Sequence, residues 1–174
     1  FKIKAHLTET TPRNAAGVKL YLARMRRIIN ESALLPFTRE ALAELIDFGS
    51  GICEDQKKLS LKFALVREVL IEASALATIN GKEQVDGTTL KEALKARFYR
   101  ANLYEEHFLE EYDRELIKVP TSGKAVGQVN GLAVSWYGDF EFGLPHQISC
   151  TVGVGHGGII DLEREAQLSG PIHT

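Results

Sequence analysis

A serine nucleophile needs a base beside it, and Ser169 with Lys124 is the pair this sequence offers. Ser169 lies in Leu168-Ser-Gly-Pro-Ile172, where glycine and proline spell a turn, so no catalytic role is assigned to it. Gly153-Val-Gly155-His-Gly-Gly158 satisfies the dinucleotide-binding fingerprint letter by letter. That fingerprint works only where a helix begins at the last glycines and points its N-terminus at the pyrophosphate. Here Ile159-Ile-Asp-Leu-Glu-Arg164 alternates like a strand, and the glycines read as a hairpin turn. No Gly-x-x-x-x-Gly-Lys-Ser/Thr loop occurs, so this stretch does not cradle a triphosphate in the usual way. His6, His107, His146, His156 and His173 show no metal-ligand spacing, and no metal site is assigned. Lys19, Arg24, Arg26 and Arg27 share one helix and could meet nucleotide or nucleic acid; a solvated face is the preferred reading. Glu105, Glu106, Glu110 and Glu111 read as a solvated acidic face rather than a metal site.

The totals are those of a globular protein: 174 residues, 44% hydrophobic, 25% charged, net charge −2. Such a charge gives no general electrostatic reason to expect nucleic acid. Cys53 and Cys150 lie far apart, which argues for reduced thiols in a cytoplasmic protein. The most apolar stretch, residues 63–71, is broken by Arg67 and Glu68 and falls far short of the ~20 residues a membrane helix needs. The sequence opens on Phe1 rather than methionine and reads as a piece of a longer protein.

Helices come first. Thr11-Pro12 is expected to open a helix with Ala15, Val18, Leu22, Met25 and Ile29 on one face. Leu34-Leu-Pro-Phe37 breaks it, and Thr38 caps a second helix with Ala41, Leu42, Leu45 and Ile46 inward. A third spans about 59–78, burying Val66, Val69, Leu70, Ala73 and Ala77, and Asn80-Gly81 stops it. Asp86 caps a fourth that meets no breaker until about residue 117, an expected connecting helix over 88–117 of ~43 Å. At Val119-Pro-Thr-Ser-Gly123 the composition changes, and ten of the fifteen glycines fall from Gly123 onward. Val126, Gln128, Asn130, Leu132, Val134 and Trp136 share one parity, as along a strand. A loop is expected over 138–145 and a second strand over 147–154. The expected class is α+β, with a helical domain over 1–118 and a β part over 119–174.

Gly127-Gln-Val-Asn-Gly-Leu-Ala-Val134, the segment 148–154 and Gly158-Ile-Ile-Asp-Leu-Glu-Arg-Glu165 resemble, in order and spacing, the start of the proteolytic domain of Lon-family ATP-dependent serine proteases. Ile160-Asp-Leu-Glu-Arg-Glu-Ala-Gln-Leu-Ser-Gly-Pro-Ile-His173 is similar to the LonB-like and Lon-related branch. Pro36-Phe-Thr-Arg-Glu-Ala-Leu42 and Glu54-Asp-Gln-Lys-Lys-Leu-Ser60 resemble the helical lid of an AAA+ ATPase, which precedes the protease domain there.

The resemblance implies ATP-driven unfolding of protein substrates, coupled to hydrolysis by a serine–lysine dyad in a hexameric chamber. It places that dyad downstream of this stretch and the nucleotide loop upstream, so ATP and Mg are expected with the parent protein and none with this piece alone. It also implies a basic residue on the third lid helix against the nucleotide phosphates, and Lys62 and Arg67 are the candidates. Related sequences read Leu-Arg-Glu-Ala where this one reads Leu70-Ile-Glu-Ala73. The rival reading is a non-enzymatic helical adaptor for protein or nucleic acid. In a Lon-like protein the first strands lean on later helices, so apolar residues among Ile148, Cys150, Val152, Ile160 and Leu162 are expected to lie uncovered.

Overall fold

The computed structural model describes residues 5–137, 140–155, 158 and 160. Its described elements are five helices and two small antiparallel sheets, an α+β architecture. In chain order they are β1 (Thr10–Pro12), α1 (Ala15–Glu31), α2 (Arg39–Gly51), β2 (Lys58–Ser60), α3 (Phe63–Ile79), α4 (Gly87–Ala101), α5 (Leu103–Asp113), β3 (Gln128–Tyr137) and β4 (Phe140–Ser149). The chain divides into two compact units, Phe1–Glu106 and His107–Thr174, and the division falls inside α5.

The first unit is a helical bundle with a two-stranded clip. Thr10 pairs with Ser60 and Pro12 with Lys58, which pulls the start of the chain into an extended strand. That pairing overrides the helix start expected at Thr11-Pro12. Helix α1 begins instead after Asn14, whose side-chain oxygen accepts the Gly17 N–H at 2.9 Å. The stripe that α1 buries is Gly17, Tyr21, Met25 and Ile28, with Val18, Leu22 and Ile29 on its flanks. This is one residue round from the expected face. Gly17 is required there, because a Cβ would sit well under 3.0 Å from the Pro12 carbonyl oxygen.

Three other helix ends follow their sequence signals. Thr38 accepts from the Ala41 N–H and starts α2; Asp86 accepts from the Thr89 N–H at 2.7 Å and starts α4. Gly81 ends α3 at φ +67°, a conformation glycine adopts without strain. Helix α3 starts at Phe63 rather than near 59, since Lys58–Ser60 is consumed by β2. Its buried face is Val66, Val69, Leu70, Ala73 and Ala77, as the periodicity predicts, with Ser74 added. Leu45, Leu70, Leu90, Met25 and Val85 complete a continuous core. Fully burying each such side chain stabilises the fold by roughly 1.5–3 kcal/mol before the entropy of ordering it is counted. A parallel bridge between Phe37 and Val85 ties the α1–α2 loop to the entry of α4, and Ser74 Oγ accepts the Leu35 N–H at 3.0 Å. Tyr21 is buried to 1% exposure with its hydroxyl unpartnered among the described residues.

The expected connecting helix over 88–117 is two helices. Helix α4 ends at Asn102, whose φ of −86° and ψ of 7° leave the helical region, and α5 stops at Asp113. Across this break the Asn102 side-chain amide donates to the Glu106 carboxylate at 3.1 Å, and the Glu106 N–H still reaches Asn102 O at 3.0 Å. The one-residue slip of the apolar pattern near Leu103 is the trace of that break. Arg97 joins α4 to α3 through Glu68 at 2.6 Å and Glu72 at 2.8 Å, and Arg100 also reaches Glu72.

The second unit is a hairpin laid on α5. Strands β3 and β4 pair over ten positions, from Gln128 opposite Ser149 to Tyr137 opposite Phe140. Residues 140–145, expected as loop, are strand. Phe140, Phe142 and Leu144 alternate inward and are buried, with the Phe142 ring 6.2 Å from Phe108 of α5. Gly143 and Pro145 hid that alternation in the sequence. Pro145 is tolerated in β4 because only one side of that strand is paired among the described residues. Strand β4 ends at Ser149, not 154. Cys150 N donates to Gly127 O at 2.6 Å, and Gly127, at φ +70°, turns the chain just before β3. Val152 and Ile160 are 97% and 71% exposed, and Ile148 and Cys150 are exposed too. On the opposite face from Phe142, Leu132 and Trp136 also stand open to solvent. Leu162, Ser169, the return strand over 159–164 apart from Ile160, and His156 and Gly157 of the Gly155–Gly158 turn lie outside the described residues.

Candidate functional site

A cleft of about 320 Å³ opens between the C-terminal half of α1 and the first turns of α3. Arg24, Ile28 and Glu31 line it from α1, and Phe63, Ala64 and Arg67 from α3. Spacing places these residues together: Arg24, Ile28 and Glu31 are four and three apart, hence stacked along one helix face. Phe63 and Arg67 are likewise four apart. The buried neighbours Met25 and Val66 hold the two helices side by side beneath the cleft.

Its electrostatics are lopsided. Arg27 and Glu31 form an ion pair at 2.6 Å along α1, and that hydrogen bond holds the Glu31 carboxyl below its ordinary range. Arg24 and Arg67 add to the lowering through space. Neither Arg24 nor Arg67 has an ion-pair partner of its own among the described residues, whereas Arg13, Arg97, Arg100 and Arg114 all do. The Arg24 guanidinium stacks over the Phe63 ring at 5.8 Å, a cation–π contact that turns it toward α3. The first turn of α3 has no side-chain cap: Lys62 occupies that position and makes no capping bond. The positive end of a 17-residue helix therefore lies beside the two guanidiniums. An anion with several oxygens suits this arrangement better than a cation or an apolar ligand.

The sequence-derived candidates separate here. Arg67 lines the cleft. Lys62 does not, and its ammonium lies 3.5 Å from the Glu9 carboxylate, both side chains largely exposed. What the structure adds to Arg67 is Arg24, which sequence reading left among the solvated charges of α1. Its signal was faint: a basic residue one position from buried Met25 and in line with Ile28. A second cleft, near α2, is lined by Arg13, Asp47, Ser50, Glu54 and Asp55. Arg13 is spent there on Asp47 and Ser50. Among the described residues no cluster of His, Cys, Asp and Glu is arranged to hold a metal ion. No described helix is long and apolar enough to cross a membrane.

Residues 36–100 match the family described as archaeal LonB, AAA+ ATPase LID domain. Two curated relatives carry the name "Putative Lon protease homolog". One, from Escherichia coli (strain K12), is 33% identical over 108 residues, covering 61% of this chain and 18% of the relative. The other, from Haemophilus influenzae (strain ATCC 51907 / DSM 11121 / KW20 / Rd), is 38% identical over 124 residues, covering 63% of this chain and 21% of the relative. The chain thus spans about a fifth of the length of these relatives. The lid match runs from the loop before α2 to the end of α4 and takes in the α3 side of the cleft, while α1 precedes it. By that match and those two relatives, the chain resembles Lon-family proteins, and its helical bundle resembles the lid of an AAA+ ATPase.

Proposed function

We propose that this chain is the coupling segment of a cytoplasmic, hexameric, ATP-dependent Lon-like serine protease. In this reading residues 1–118 are the AAA+ lid with its connecting helices, and 119–174 begin the proteolytic part. The lid closes on ATP bound elsewhere in the parent protein, and Arg67 meets the nucleotide phosphates. Protein substrates and a serine–lysine dyad belong to that parent. ATP with Mg supplies the phosphoryl-transfer chemistry; this chain's own residues bind and orient. A guanidinium suits that task, because its planar fork grips two phosphate oxygens at once and stays charged at any physiological pH. Lys62, held near Glu9, adds positive field one turn away.

The observation that carries the reading is Arg67, lining a cleft on the third helix of a LonB-type lid with no ion-pair partner among the described residues. The test is Arg67→Ala in the full-length parent. ATP-dependent degradation of an unfolded protein should fall at least about tenfold, the equivalent of one charge-assisted hydrogen bond. Cleavage of a short unstructured peptide, which needs no unfolding, should fall less. Wild-type degradation together with wild-type ATP affinity would refute it.

A further inference from the structure

We propose that the α1–α3 cleft is a two-arginine oligophosphate site, in which Arg24 is a second phosphate-binding group and Glu31, paired with Arg27, is the acidic group that opposes an anion there. The proposal rests on the reading that Arg67 faces nucleotide phosphates, and extends it to residues on a different helix. Three features of the cleft converge. Arg24 is aimed by Phe63, which occupies the ring face of its guanidinium and leaves the edge N–H donors free for an anion. The uncapped start of α3 supplies a further backbone donor at Ala64, which lines the cleft, while the Phe63 N–H is taken by Leu61 O at 2.8 Å. Glu31, whose ion pair with Arg27 is more than half exposed on each side, is the one acidic residue lining the cleft.

The negative end of α1 faces the same cleft but is largely quenched. Its last carbonyls are taken by backbone N–H groups: Ser32 on Ile28 at 2.9 Å, Leu34 on Ile29 at 3.0 Å and Ala33 on Asn30 at 3.3 Å. Glu31 is therefore the main opposing charge. It sets a threshold: a singly charged anion gains little against its repulsion, whereas an oligophosphate brings several charges to two guanidiniums at once. The site selects for charge density rather than for a base or a sugar.

The test uses this chain and inorganic tripolyphosphate, followed by amide and arginine side-chain NMR shifts. Perturbations should centre on residues 24–32 and 61–68. Arg24→Ala and Arg67→Ala should each weaken binding by about tenfold, and Arg24→Lys, which keeps the charge and loses the fork, should fall between. Glu31→Gln, with its carboxylate gone, should bind several-fold more tightly. Both Arg24 and Arg67 are exposed, and a far-ultraviolet spectrum confirms that each variant folds. If Arg67→Ala abolishes binding and Arg24→Ala leaves it intact, the two-arginine site is wrong while nucleotide contact by Arg67 survives. If neither matters, both fall. Unchanged or weaker binding in Glu31→Gln would overturn the role of Glu31 as the opposing charge.

Discussion

Gly17→Ala sets two physical effects against each other, and the structure decides the sign. Helix propensity alone favours alanine over glycine inside a helix by about 1 kcal/mol. The same residue faces the Pro12 carbonyl, and a Cβ built there falls well under 3.0 Å from that oxygen and 3.2 Å from its carbon. The obstacle is backbone and cannot rotate aside. Accommodation requires moving β1 away from α1, which strains the β1–β2 pairing and the bond from Arg13 N–H to Lys57 O at 2.7 Å. Overpacking of this kind costs up to about 3 kcal/mol. Subtracting the propensity gain leaves a net loss of about 2 kcal/mol, or a fall in Tm of roughly 8–16 °C for a unit of this size. Gly51→Ala is the matched control: it ends α2, a Cβ there meets nothing within 4 Å, and it should be neutral or gain up to about 1 kcal/mol. Urea unfolding followed by helical circular dichroism measures both. Equal effects of the two substitutions, or a more stable Gly17→Ala, would refute the close approach of β1 to α1.

Tyr21→Phe should stabilise the bundle by about 1 kcal/mol, since the hydroxyl is buried without a partner and its removal ends that penalty. Burial pushes the Tyr21 pKa up to about 12, with a smaller contribution from Cys53, so ionisation is resisted in the folded state. That stability is complete below the ordinary tyrosine pKa of about 10 and lost as pH rises toward 12; Tyr21→Phe should flatten this alkaline limb in thermal melts. Asp86→Ala should lower Tm at neutral pH through loss of the α4 cap and of the Lys82 contact at 2.9 Å. The Thr89 backbone N–H, first, and then Lys82 hold the Asp86 carboxyl below its ordinary range, so its contribution is full above about pH 4 and disappears only at lower pH; the wild-type and variant melts should converge there. Leu45→Ala, at a fully buried position, should cost about 2–5 kcal/mol in urea unfolding. This chain alone should neither hydrolyse ATP nor cleave casein; turnover above a buffer blank that Ser169→Ala abolishes would contradict that.

Local signals carried most of the bundle. The caps at Thr38 and Asp86, the Asn80-Gly81 stop and the apolar face of α3 are each set by residues within a few positions of one another, and each is where the sequence puts it. Non-local pairing was hidden. Residues 10–12 and 58–60 are short, not hydrophobic enough to announce themselves, and become strands only through each other. Their pairing displaced the starts of both α1 and α3. Asn102 looked neutral within a helical pattern, since neither proline nor glycine marks the break there. In the hairpin, glycine and proline at 143 and 145 argued for a loop, and the cross-strand partners Val134 and Leu132 overrode them. Arg67 was reached through family resemblance. Arg24 needed the structure, because only the packing of α1 on α3 sets the two side chains on one cleft.

Amide exchange on the full-length parent, with and without a non-hydrolysable ATP analogue, tests the central claim most directly. Nucleotide should slow exchange at the uncapped start of α3, residues 61–68, and at the end of α1, residues 24–32. Protection confined to other parts of the parent, with these two segments exchanging at the same rate in both states, would contradict the claim that this cleft meets the nucleotide.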